Sequence, residues 1–238
     1  MDLLASVLVY LGLAAVVVGV LRWRKRGLRV AAAGVIAAAV GVLVPAGETR
    51  VVEPRARIDE FVPVYRFSES HAIRVAAPRD RVYRAIVEVC PDEILFYHTL
   101  TWIRRYGRRQ PAGVLNAPGR RPLLDTMTTG WFLRLADDGE REIVIGSVSG
   151  GWSRSQLSRA HSPAEFKDFS RPLMVKIAMN FRIEEEDARH CMLTTETRVY
   201  TVGGDADRGF QVYWRLIYPG SSTIRYMWLR AIRKRAEG

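Results

Sequence analysis

Glu69 and His71 stand two residues apart in a run where Tyr65, Phe67, Glu69, His71, Ile73 and Val75 alternate with Arg66, Ser68, Ser70, Ala72 and Arg74. Period-two spacing puts the carboxyl and the imidazole side by side on one otherwise apolar strand face. Such a pair can pass a proton as acid and base, anchor the polar head of a ligand, or face water as an ion pair at a strand end. Glu196, among Thr194, Arg198 and Tyr200, poses the same choice. It can bridge to Arg198 or to an arginine across the sheet, or turn into a cavity and fix a ligand's polar end. His98, with Tyr97 and Trp102 on a helical stretch, either lines a cavity mouth or is an ordinary packed or solvated side chain.

No G-x-S-x-G elbow, Walker A loop, H-E-x-x-H pair, C-x-x-C pair or G-x-G-x-x-G turn occurs, which removes the support for common hydrolase, nucleotide and zinc-enzyme readings. Cys90 and Cys191 are isolated, without metal-ligand spacing, and read as small buried hydrophobes. No metal, no cofactor and no assigned catalytic residue is expected. Trp131, Trp152, Trp214 and Trp228 are either core or the wall of an apolar pocket, and Tyr213, Trp214 and Ile217 share one helical stripe. The cavity candidates are therefore Glu69, His71, His98, Trp131, Glu196, Tyr213, Trp214 and Ile217.

The elements that must position these groups follow from local pattern. The strand ending at Val75 runs into Pro78, which opens a helix with Val82, Ala85, Ile86 and Val89 at i, i+3, i+4 and i+7. Pro91-Asp92 ends it and starts a second helix through about Arg104. Residues 105 to 125 read as a long basic loop broken by glycine and proline, a length that is usually functional or disordered. Strands are expected at Met127 to Ala136 and Glu142 to Val148, turned at Asp138-Gly139. Ser162-Pro163-Ala164-Glu165, inside an irregular stretch from Gly150 to Pro172, has capping-box spacing for a short helix carrying Phe166 and Phe169. Val175 to Ile183 alternates cleanly and pairs through an acidic turn with Cys191 to Val202. After Gly203-Gly204, with Asp205 as N-cap, comes a long amphipathic helix with stripes Phe210, Tyr213, Trp214, Ile217 and Ile224, Met227, Trp228, Ala231, interrupted near Pro219-Gly220.

Ahead of all this lie two apolar stretches, Leu3 to Leu21 and Val30 to Val44, separated by Arg22, Arg24, Lys25, Arg26 and Arg29. The first reaches about 28 Å as a helix, close to the ~30 Å hydrocarbon core. The second is shorter and spans with the help of Leu28, Ala46 and a snorkelling Arg29. Gly34/Ala38 and Ala37/Gly41 have the four-residue spacing of closely packed helices, a pattern that Ala-rich filler also produces. The domains expected are a transmembrane hairpin over 1–46, a linker over 47–60 with order beginning at about Phe61, and a folded domain over 61–238. Asp2 and the arginines after the apolar run speak against a cleaved signal. A basic loop favours the cytoplasm, which places the folded domain on the extracytoplasmic side of the plasma membrane; it faces the cytoplasm if the second stretch does not cross. The chain carries a net charge of +11, of which the first 46 residues, with five basic and one acidic side chain, account for four, leaving +7 on the rest. Beside a bilayer that charge favours anionic lipid, with Arg105, Arg108, Arg109, Arg120 and Arg121 as surface candidates and the tail Arg230, Arg233, Lys234 and Arg235 behind them. No nucleic-acid-binding pattern accompanies it.

The stretch His71-Ala-Ile-Arg-Val-Ala-Ala-Pro78-Arg-Asp-Arg-Val-Tyr83-Arg-Ala-Ile86, with Asn180-Phe-Arg-Ile183, Leu193-Thr-Thr-Glu196-Thr-Arg-Val199 and Tyr213-Trp-Arg-Leu-Ile217, resembles the START/Bet v1-like (SRPBCC) superfamily over about residues 65 to 236. The resemblance implies an α+β helix-grip fold, a curved antiparallel sheet around a long C-terminal helix, here preceded by two transmembrane helices. Fewer strands stand out between the second helix and Pro172 than that family usually has. The family spans lipid carriers, hormone receptors, polyketide cyclases and quinone-associated membrane subunits, so the resemblance implies a cavity for a lipophilic small molecule better than any reaction. The expected function is a membrane-anchored binding protein for a lipid, quinone or similar molecule. The alternatives are a cyclase or isomerase with Glu69, His71 or Glu196 as general base, and a structural or partner-binding membrane protein whose interior is solid.

Overall fold

The computed structural model describes residues 2–22, 25–150, 160–170, 174–201 and 204–238. Helices α1 (Asp2–Leu21) and α2 (Lys25–Leu43) form an antiparallel pair. The glycines that let them meet recur every seven positions, with an alanine four residues after Gly27 and Gly34 at the same contacts. Gly27 and Gly34 of α2 face Gly19 and Gly12 of α1, Gly41 faces Ala5, and a Cβ on Gly12 would fall 2.6 Å from the Gly34 carbonyl oxygen. A seven-residue repeat keeps one seam in contact along a left-handed pair. Of the expected small-residue pairs, Gly34 and Ala38 both meet Gly12, and Gly41 meets Ala5 and Val9. Lys25, Arg26 and Arg29 start α2 instead of lying in the loop, since long unbranched side chains join a helix at little cost; Arg24 lies outside the described residues. Both helices are long and apolar enough to cross a membrane, and Leu4, Leu11, Val17, Ile36 and Leu43 are among the large side chains they turn outward.

Residues expected as a linker carry packed structure. β1 (Thr49–Arg50) pairs with β2 (Val64–Tyr65), and between them a 3₁₀ turn, Arg57–Glu60, buries Ile58 and Asp59. Asp59 closes that turn itself, its carboxylate accepting the backbone N–H of Arg55 at 2.6 Å and of Ala56 at 2.7 Å. Next come β3 (Phe67–Val75) and α3 (Arg79–Glu88), whose stripe of Val82, Ala85 and Ile86 is buried.

The second helix is divided. A 3₁₀ turn, Pro91–Glu93, is separated from α4 (Tyr97–Arg104) because Phe96 sits in the left-handed region, at φ +65°, which a continuous right-handed helix cannot contain. α5 (Leu123–Thr128) occupies the end of the expected loop and the start of the expected strand, burying Leu123, Leu124 and Met127. β4 (Leu133–Asp137) accordingly begins later and turns at Asp138-Gly139, with Gly139 at φ +52°, into β5 (Glu142–Gly150). In α6 (Pro163–Asp168) the Ser162 hydroxyl accepts the Glu165 N–H and the Glu165 carboxylate reaches back to the His161 N–H. β6 (Met174–Asp187) and β7 (His190–Thr201) form the long hairpin, and α7 (Gly204–Glu237) then runs unbroken through Pro219. Pro219 is on the exposed side of α7, where its ring projects away from the sheet.

The sheet order is β3-β7-β6-β5-β4, antiparallel throughout. With α7 across it, the molecule is an α+β helix-grip arrangement behind two apolar helices. One sheet face packs Ile73, Val75, Phe181 and Leu193 against α3 and against Trp228, Leu229 and Ile232 of α7. The opposite face is covered as well: Ile58, Phe61 and Val62 of the N-terminal turn and Phe166 of α6 pack on Val144, Val148 and Ala178. Phe166 lies so close to β5 that a Cβ on Gly146 would meet its ring at 2.8 Å.

Lys176 is buried on this second face, its ammonium donating to the Lys167 carbonyl at 2.8 Å beside the Phe166 ring. Burial lowers its pKa from 10.5 to about 8. The folded state thus binds fewer protons than the unfolded one between those values, and wild-type stability rises as pH increases through that window. Lys176→Met is expected to raise the thermal midpoint at pH 7, the gain being at most ~3 kcal/mol and fading toward pH 10. Thermal unfolding of both proteins across that range checks it; a gain that does not shrink with pH contradicts the assignment.

Candidate functional site

The two halves of α7 meet the sheet differently. The C-terminal half packs directly on α3 and the strands, whereas Phe210 and Trp214 of the N-terminal half form a separate cluster with Phe67, Val175 and Val199. α4 and α5 bridge the gap, and between them, the sheet and α7 lies a partly open cavity of about 540 Å³. Its floor is Ile177, Met179, Thr197 and Val199; α4 supplies Tyr97, Thr101 and Arg104; α5 supplies Leu123 and Met127. α7 contributes Tyr213, Trp214 and Ile217, then Ser221, Ile224, Arg225 and Trp228 on successive turns. The lining is mainly apolar, with hydroxyls at Ser147, Ser149, Thr197 and Ser221.

Trp131 lines this space while remaining half exposed, so it stands at the mouth, and Tyr213, Trp214 and Ile217 form part of the wall. Trp152 lies outside the described residues. The Tyr213 hydroxyl takes both Nε and Nη2 of Arg104, at 3.1 and 2.5 Å. The Tyr97 hydroxyl donates to the Val114 carbonyl, and burial pushes its pKa up.

Glu69 and His71 sit together on the inner sheet face but behind the cavity wall. His71 Nε2 is 2.9 Å from one Glu69 carboxylate oxygen, and Ser221 donates to the other at 3.1 Å. A buried carboxylate with both oxygens hydrogen-bonded is a holding group rather than a free base. Glu196 is a correction: it lies on the opposite face of the sheet from the cavity. The alternation along β7 that turns Thr195, Thr197 and Val199 inward turns Glu196 and Arg198 outward. There Arg198 bonds both Glu196 oxygens, at 2.6 and 3.0 Å, and Asp59 at 2.6 Å, its guanidinium 4.7 Å from the centre of the Tyr65 ring. Burial pushes the Asp59 carboxyl up, but the Arg55 and Ala56 N–H groups and Arg198 outweigh it and hold it below the ordinary carboxylate range. His98 is a second correction, since it is exposed and bonded to Asp92 at 2.9 Å, on the outer side of α4. Glu69, His71 and Glu196 thus each have protein partners and none lines the cavity.

Sequence reading missed Arg104 and Arg225. Arg225 donates from Nη2 to Thr197 Oγ1 and to Met179 Sδ, both at 2.8 Å, while Nη1 is enclosed without a partner among the described residues. Burial pulls its pKa down to about 10, Glu69 opposing and Arg104 adding to the shift. The signal was available: Ile217, Ser221, Ile224, Arg225 and Trp228 follow helical spacing, so an arginine stands on the sheet-facing stripe.

The same turns of α7 hold the apolar hairpin. Arg215, 1% exposed, donates from Nη1 to the carbonyls of Gly41 and Val42 and from Nη2 to that of Val44. Gln211 donates to Val42 O at 2.6 Å and accepts the Ala46 N–H at 3.0 Å, and the Tyr10 hydroxyl donates to Leu216 O. On α4 and the residues flanking it, Leu95, Phe96, Trp102, Ile103 and Tyr106 are exposed. Arg108, Arg109, Arg120 and Arg121 are exposed beside them, Arg121 reaching Thr129, while Arg105 is tied to Asn116 at 2.6 Å.

No family model and no curated protein matches the chain. Among solved structures it is similar to the ZhuI aromatase/cyclase from Streptomyces sp. R1128, with 14% identity, a TM-score of 0.30 and coverage of 72% of this chain and 93% of that one. It is similar to TTHA0849 from Thermus thermophilus (9% identity, TM-score 0.30, 71% and 97%). It is also similar to the di-domain aromatase/cyclase BexL from the BE-7585A biosynthetic pathway (17%, 0.28, 72% and 46%). At such TM-scores the likeness adds nothing to the cavity's own geometry.

Proposed function

We propose that the protein is a membrane-anchored binding protein that holds a lipophilic small molecule between sheet and α7 and exchanges it with the bilayer crossed by α1 and α2. The observation that carries this reading is the shared stretch of α7: residues 210 to 217, a span of roughly 10 Å along the axis, line the cavity on one side and grip the end of α2 on another. A volume of about 540 Å³ is of the size that takes one drug-sized ligand. Trp131 at the mouth and the exposed Trp102 and Tyr106 suit the headgroup level of a bilayer, and the exposed arginines suit anionic lipid at roughly 1 kcal/mol each. The basic turn with Arg22, Lys25, Arg26 and Arg29 lies at the end of the hairpin away from α7, so positive-inside orientation sets the folded domain on the extracytoplasmic side.

The test places the full chain in lipid nanodiscs containing a diazirine-tagged hexadecanol, followed by photolysis and peptide mapping. Label is expected on β6 and on α7 around Ile217 as well as on the two apolar helices. Ile177→Trp, which fills part of the floor, is expected to cut β6 and α7 labelling roughly tenfold, the value of displacing two methylenes, while leaving hairpin labelling unchanged. Label confined to α1 and α2 in the wild type overturns the proposal.

A further inference from the structure

We infer that the molecule held in the cavity is an amphiphile with an anionic head, a carboxylate or phosphate monoester on a single apolar tail, received by Arg225 and Arg104. The inference rests on the binding reading above and specifies its ligand. Its basis is an imbalance in the lining. Among the described residues, the charged groups that line the cavity are these two arginines, and no carboxylate lines it. Neither arginine has a carboxylate within ion-pair distance among those residues. Arg104 is bonded to the Tyr213 hydroxyl, and Arg225 to a hydroxyl and a thioether sulfur with the Trp228 ring centre at 5.6 Å, all uncharged partners. Glu69 offsets the charge from behind the wall, but His71 and Ser221 already occupy its oxygens.

A buried guanidinium with an unpaired N–H carries a desolvation cost that a bound anion removes. Arg225 and Arg104 reach the cavity from α7 and α4, on different walls, and the charge of Arg104 is close enough to disfavour that of Arg225. An anion between the two walls would relieve that repulsion as well as the desolvation. The rest of the lining accepts a tail: Ile177, Val199, Trp214 and Ile217 present hydrocarbon and ring surface. A neutral isoprenoid or sterol would leave Arg225 Nη1 without an acceptor and both charges without a counter-ion in the cavity, and a cationic amphiphile would be repelled.

The experiment compares four photoprobes of equal chain length in nanodiscs of neutral lipid, using the full chain: palmitic acid, hexadecyl phosphate, hexadecanol and hexadecylamine, each tagged with a diazirine. Cavity labelling by the acid or the phosphate is expected to exceed that by the alcohol roughly tenfold or more, the worth of a charge-assisted hydrogen bond, with the amine lowest. The ratio of acid to phosphate labelling distinguishes a fatty acid from a phosphorylated lipid as the source of the head. Arg225→Gln is expected to bring acid labelling down to the alcohol's level within the same variant, with a wild-type circular dichroism spectrum reporting an intact fold. Arg104→Gln, at a half-buried position, provides the same comparison if the first variant fails to fold. Equal labelling by acid, alcohol and amine overturns the inference and leaves the binding reading intact; no cavity label from any probe overturns both.

Discussion

Gly34→Leu is expected to push α1 and α2 apart and lower the thermal midpoint of the full chain in detergent by roughly 6–12 °C, corresponding to ~3 kcal/mol for a chain of this size. A Cβ at position 34 would sit 2.6 Å from the Gly12 carbonyl oxygen and 2.8 Å from the Val16 nitrogen. Both are main-chain atoms of a helix, which cannot rotate aside as a long side chain can. The helices must therefore separate, and separation also loosens the neighbouring contacts of Gly27 with Gly19 and of Gly41 with Ala5. In lipid no hydrophobic force between helices compensates, because association there depends on close packing. Gly47→Leu is the control, as a Cβ there meets nothing within 4 Å. Thermal unfolding followed by circular dichroism reads the result; a Gly34→Leu midpoint within about 2 °C of Gly47→Leu would show that the seam contributes little.

What could be read from the chain divides along a physical line. Signals that act within a few residues were legible: Pro78 opening α3, the Asp138-Gly139 turn, the Ser162–Glu165 capping box and the alternation of β6 all depend on local backbone chemistry. The α+β class and the long final helix followed from their order. Facing was not legible where both sides of an element are covered. Along β6 nearly every residue from Met174 to Ile183 is buried, since the N-terminal turn and α6 pack on the face away from α7. Alternation then says that Glu196 and Thr197 point opposite ways without saying which way is in. α5 was hidden because Leu123, Leu124 and Met127, helical in spacing, are surrounded by glycines and prolines that read as loop. The Gly34/Ala38 pair expected at four-residue spacing does meet Gly12, but the longer seven-residue repeat of Gly27, Gly34 and Gly41 was not read. Arg225 was visible as an arginine on an apolar stripe, but only the space around it turns that oddity into a candidate site.

Arg215→Ala is expected to undock the hairpin from the cavity. The last carbonyls of a helix have no partner inside it, and here the C-terminal end of α2 gives those of Gly41, Val42 and Val44 to one buried guanidinium. The positive charge also opposes the negative end of the α2 dipole. Removing it leaves one buried and two partly buried acceptors without that donor, Val42 O keeping its bond from Gln211, and with charge-assisted bonds worth roughly 1.5–3 kcal/mol each, the loss is about 3 kcal/mol after relaxation. The thermal midpoint should fall roughly 6–12 °C. Arg215→Lys should recover only part of this, because an ammonium cannot reproduce the two-nitrogen reach of the fork. If α7 is where bilayer and cavity meet, undocking must also act on exchange. Cavity labelling by the hexadecanol probe should slow when the probe is supplied from nanodiscs, yet remain at the wild-type level when it is supplied in detergent micelles. An Arg215→Ala protein with wild-type midpoint and wild-type labelling from both sources would mean that the grip on α2 serves neither stability nor delivery.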